Sequence, residues 1–184
     1  MEKLLRSFVN GVGKINESIG RAVAWLTTLL VLLVCGDVLM RYWFNTTAAW
    51  VMELEWHLFA LVFLLGAAYA FQQDRHVRVD LFYDRFSPRD RAWVNLVGGM
   101  VFLLPWCLVL VYVGWQYALG SYYIGEGSPN PGGLPHRFLI KGSIALGFLL
   151  LLLQALASIA AALLVLFGEA QEDNEFSPTT NDIR

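Results

Sequence analysis

Residues 138–167 read FLIKGSIALGFLLLLLQALASIAAALLVLF, with Lys141 the one charged side chain in the run. A helix rises about 1.5 Å per residue and needs about 20 mostly apolar residues to cross roughly 30 Å of hydrocarbon. This stretch is therefore long enough to span a membrane and still tilt or protrude at one end. Three further runs have the same character, at 22–44, 49–73 and 92–119. The first is too long for the core of a secretory signal and no small-residue cleavage site follows it, so it is expected to remain as an anchor. Across all 184 residues the composition agrees, with 57% hydrophobic and 15% charged side chains. That balance does not describe a soluble globule. The chain predicts an all-α integral membrane protein with four transmembrane helices within residues 1–167.

Lysines and arginines orient the spans, because cytoplasmic flanks carry an excess of them. Lys3, Arg6, Lys14 and Arg21 precede the first span, Arg75, Arg78, Arg85, Arg89 and Arg91 lie between the second and third, and Arg184 ends the chain. The other side holds Arg41, Arg137 and Lys141, so the balance is ten to three. Both termini are expected in the cytoplasm. The short connector at 45–48 and the glycine- and proline-rich loop at 120–137 then face outward.

Two cytoplasmic segments carry interfacial patterns. Over 2–20, Leu4, Leu5, Phe8, Val9, Val12, Ile15 and Ile19 share one helical face while Lys3, Arg6 and Lys14 fall elsewhere, the arrangement of a helix lying in the headgroup plane. Over 79–86, Val79, Phe82 and Phe86 recur at helical spacing beside Asp80, Asp84 and Arg85. Ser87-Pro88-Arg89-Asp90 then supplies an N-cap, a first-turn proline and a first-turn acid, which places the start of the third helix at Pro88. Residues 168–184 are acidic and nearly devoid of apolar side chains, and are expected to be a disordered tail.

A formal charge of -2 leaves no basic surface to displace counterions from nucleic acid, which is not an expected partner. Cys35 and Cys107 stand alone in apolar runs and read as small buried hydrophobes. His57, His76 and His136 fall at different levels of the bundle, so no pair can face another as haem or metal ligands, and no cofactor is expected. Ionisable groups in spans are functional suspects by default. Asp37 and Arg41 sit one turn apart near the outer end of the first span, and Glu53, Glu55 and His57 open the second at the same depth. These five are expected to form one polar cluster that joins helices or meets another subunit. The rival reading is a proton relay, since adjacent carboxylates and a histidine shift one another's pKa. Small residues at Gly66, Ala70, Gly98, Gly99, Gly142, Ser143 and Gly147 allow close helix contact.

The order of these features resembles a known family. Arg41 ends the first span, Trp50 and Glu53 open the second, and Gly66-Ala67-Ala68-Tyr69-Ala70 precedes Arg75-His76-Val77-Arg78-Val79-Asp80. This resembles the small membrane subunit of tripartite ATP-independent periplasmic (TRAP) transporters, and Arg75, His76, Arg78 and Asp80 form the family-like loop motif. The outer segment Ser128-Pro129-Asn130-Pro131-Gly132-Gly133-Leu134-Pro135 looks like that of branches associated with organic-acid substrates. The resemblance implies a bacterial or archaeal inner-membrane protein that works with a large multi-span subunit, a periplasmic substrate-binding protein and membrane lipids. It implies no enzymatic activity, but a role in bracing the large subunit and docking the binding protein during sodium-driven uptake of an organic acid. Glu126, Asn130, His136 and Arg137 are the expected docking residues in the outer loop. Two other classes stand beside it: a small proton-coupled homo-oligomeric exporter using Asp37 and Glu53, and a membrane enzyme or electron-transfer subunit.

Overall fold

The computed structural model describes residues 2–73 and 86–175. Its four long helices are α1 (Glu2–Phe44), α2 (Ala49–Gln72), α3 (Pro88–Tyr123) and α4 (Phe138–Glu175), and each is long and apolar enough to cross a membrane. The chain is an all-helical, multi-pass membrane protein. Helix α4 is the common partner: it packs against α1, α2 and α3, while α1 also packs along α2. The core follows from that arrangement, with Ala155, Ala157, Ala160 and Ala162 of α4 all buried. Alanine at these positions lets three neighbours approach one helix. Spans α1, α2 and α3 turn most of their apolar surface outward, including Trp25, Leu32, Phe63 and Phe102.

Helix α3 starts where Ser87-Pro88 places it. The Ser87 hydroxyl accepts from the Asp90 backbone N–H at 3.2 Å, and Pro88 occupies the first turn, where its missing N–H costs nothing. The apolar pattern does not predict the π-helical segment Gly99–Leu103 in its middle. Pro105 stands two residues beyond its end; it cannot donate to the turn below and its ring crowds the carbonyl there, so the preceding backbone widens.

Two elements differ from the sequence reading. The 2–20 segment is continuous with the first span, as one helix α1 from Glu2 to Phe44. Within it Val12, Asn16, Gly20 and Val23 are buried, at spacings of four, four and three that set them on one face against the bundle. Asn16 donates to Gln154 of α4 at 2.7 Å, with both side chains buried. Gly20 lies under the Tyr69 ring of α2, where no Cβ would fit. Helix α4 also runs past Phe167 to Glu175, into the stretch expected to be disordered; Glu, Ala and Gln propagate a helix well once it is nucleated. The expected helix at 79–85, the motif Arg75, His76, Arg78 and Asp80, and residues 176–184 lie outside the described residues.

Candidate functional site

The connector end of the bundle, where 45–48 joins α1 to α2 and 124–137 joins α3 to α4, gathers a dense set of polar contacts among the described residues. Gly125, at φ +59°, ends α3 by donating to the Tyr122 carbonyl, the left-handed C-cap that glycine adopts without strain. The loop then folds back on itself. Arg137 N–H donates to the Glu126 carbonyl, Ser128 N–H to the Leu134 carbonyl and Gly133 N–H to the Asn130 carbonyl. Gly132 takes φ +73° inside the turn and His136 φ +61° at its exit.

This loop closes around one side chain of α2. The Glu53 carboxylate accepts from the Ser128 hydroxyl, from Asn130 Nδ2 at 3.0 Å and from the Leu134 backbone N–H at 2.7 Å. Arg137 Nη2 stands 3.8 Å away. The Glu53 side chain is only 4% exposed, so a buried acid is balanced by three donors and a cation, as a buried charge requires. Gly133 is sterically obligatory there: a Cβ would sit 2.8 Å from Glu53 Oε2 and overlap Ser128. Beside this, Lys141 donates to Glu126 and lies 4.0 Å from the Tyr117 ring centroid. The Lys141 ammonium holds the Glu126 carboxyl below the usual glutamate value. Arg137 also lies 5.7 Å from the Trp56 ring centroid, which fastens the loop to α2 a second way.

The five residues expected in one cluster are divided into separate contacts. Arg41 Nη2 pairs with Asp37 at 2.6 Å along α1 and makes no ion pair with Glu53. The outer loop supplies Glu53 with its donors instead, and Arg41 is satisfied one turn back on its own helix. His57 Nδ1 contacts the Glu53 backbone carbonyl, and its ring packs 3.9 Å from Trp56. Glu55 Oε1 is out of reach of solvent and accepts no hydrogen bond. Of the expected docking residues, Asn130 and Arg137 turn inward to Glu53 and Glu126 to Lys141, while His136 is exposed. The rim left at the surface is Pro129, Asn130, Pro131, Pro135 and His136, in which three prolines stiffen the backbone. Ser128, Gly133, the Leu134 N–H and Lys141 escaped the sequence reading as members of this site. The crowding of Gly and Pro at 129–135 signals a tight turn but not which acid it encloses.

Over residues 30–165 the sequence matches the family described as tripartite ATP-independent periplasmic transporters, DctQ component. A candidate TRAP transporter small permease protein of Haemophilus influenzae is 26% identical over 149 residues, covering 80% of this chain and 90% of that protein. The C4-dicarboxylate TRAP transporter small permease protein DctQ of Vibrio cholerae is 28% identical over 118 residues, 64% of this chain and 50% of that one. The matched stretch thus takes in half the length of the Vibrio protein.

Proposed function

We propose, from the premise that this chain belongs to the DctQ family of TRAP small permease subunits, that it braces a large transport subunit and presents the 124–137 loop to a periplasmic substrate-binding protein. The family is a transporter component and not an enzyme. In this reading both termini are cytoplasmic, as the ten-to-three arginine and lysine distribution favours. The complex takes up an organic acid with sodium, and the chain itself carries no substrate path. The observation that carries the reading is the Glu53 anchorage. A loop built from Pro, Gly and short polar residues would be mobile if free, yet here it is pinned by three hydrogen bonds to a buried carboxylate on a membrane helix. Pinning leaves the proline rim preformed, so a partner binding it loses less conformational freedom.

The exporter reading draws little support from this geometry. Its coupling carboxylates are Asp37, paired with Arg41, and Glu53, held by three loop donors, so each is already engaged within the chain. The test is Glu53→Gln in the assembled complex, with substrate uptake in cells measured beside co-purification of the large subunit and of the binding protein. The expected result is weakened docking and uptake with the large subunit retained. Unchanged docking and uptake would refute the platform role, and transport by the purified chain alone in liposomes would refute the accessory role.

A further inference from the structure

A groove of about 490 Å³ opens between α1 and α2 at the connector end, with Leu30 and Val34 on one wall and Met52, Trp56 and Phe59 on the other. Glu55 lines the same groove, together with Glu53 and Asn130. Its Oε1 is removed from solvent and accepts no hydrogen bond, a state that is costly for a carboxylate unless a cation or donor reaches it. The cations that this chain places nearby are engaged elsewhere, Arg41 with Asp37 and Arg137 with Glu53. The groove walls are far from covered, since Phe59 is 63% and Met52 49% exposed.

We propose that this groove is where a transmembrane helix of the large transport subunit seats, and that a lysine or arginine of that helix pairs with Glu55. The proposal rests on the family reading above, which supplies the partner. Charge complementarity selects the occupant: a mostly apolar trough, in which Glu53 is already answered by the loop and one oxygen of Glu55 is not, fits an apolar helix carrying one cation at that depth. A side chain on a packed helix is held at a fixed depth, as a fixed carboxylate needs, whereas a lipid ammonium diffuses.

The experiment uses the complete complex, with the large membrane subunit of the same transporter as the probe. Glu55→Gln, which keeps size and polarity, is expected to weaken subunit association on the order of tenfold or more. Glu55→Lys is expected to weaken it further, with recovery when the facing lysine or arginine of the large subunit is changed to glutamate. A photocrosslinker replacing Phe59 in an otherwise unaltered chain is expected to label the large subunit, a readout that does not depend on a destabilised variant. Full affinity in Glu55→Gln would overturn the proposal, as would crosslinking of Phe59 only to lipid or to a second copy of this chain. Failure of the unaltered chain to associate with a large subunit at all would instead refute the functional reading on which the proposal stands.

Discussion

Replacing Gly147 by alanine tests how α2 and α4 are held together. A Cβ at 147 would stand 2.8 Å from the Leu64 carbonyl oxygen, 3.0 Å from Leu64 Cβ and 3.1 Å from Leu64 C. Carbon atoms in good contact are about 3.5–4.0 Å apart, so two of these approaches are short by about half an ångström. Two of the three atoms belong to the α2 backbone, and relief therefore requires moving a whole helix. Gly142→Ala is the matched control, because its Cβ would meet only Ala118 Cβ, at an ordinary 3.9 Å. Both substitutions lie on α4 and both gain about 1 kcal/mol of helix propensity, which cancels in the comparison. What remains is the overpacking cost, about 1–3 kcal/mol. Equilibrium unfolding in mixed micelles, followed by tryptophan fluorescence, should find Gly147→Ala less stable than Gly142→Ala by that amount. Since α4 begins where the loop around Glu53 ends, Gly147→Ala should also increase protease cleavage at 127–135. Equal stability of the two variants would show that α2 and α4 are not in contact at Leu64, and the bundle described above would be wrong.

Asn16→Ala should destabilise the bundle by about 1–2 kcal/mol in the same assay, because it leaves the Gln154 carbonyl buried without its donor; Asn16→Leu with Gln154→Leu together should recover much of that loss. Glu126 sets a pH dependence. Its folded pKa lies below the ordinary 4.5 because Lys141 donates to the ionised form. Its stabilising contribution is therefore fully present above that ordinary value and is lost as pH falls through the lower folded value. Protease protection of the loop should hold at neutral pH and decline only in that acid range, and Glu126→Gln should flatten the decline; an unaltered acid transition in that variant would assign it to another group.

The spans were legible because hydrocarbon thickness dictates their length and composition, and the start of α3 was legible because Ser87-Pro88 carries its cap chemistry in sequence. The partner of each helix face was not. Gly142 and Gly147 look alike as small residues, yet only Gly147 touches another backbone, and that difference arises from the crossing geometry of α2 and α4. The buried stripe of α1 was misread for a similar reason. Asn16 counts as polar in any amphipathic pattern, but a side chain that finds Gln154 across the bundle belongs to the buried face. Glu53 was picked out as a suspect, but its loop donors were not. Sequence depth brings Arg41 and Glu53 to one level, while donors 75 to 81 residues away in the chain reach it only once α4 has brought the loop back over α2.

The division of the expected cluster also bears on how the connector end can work. Had Arg41 bridged to Glu53, one ion pair would have tied α1 to α2 and left the 124–137 loop unattached. With Arg41 held by Asp37 on the same helix, α1 and α2 are joined at this end by the 45–48 connector and by packing, and the groove between them stays open. Glu53 and Glu55 stand two residues apart on α2, and both line the groove. Glu53 also fastens the loop, through the Ser128, Asn130 and Leu134 donors. A single short stretch of α2 can thus set the position of an aqueous-facing rim and of a membrane-facing trough together, and any tilt of α2 would move both. Binding at the rim and seating of a helix in the trough would then be energetically linked through α2, each altering the affinity of the other by the same factor.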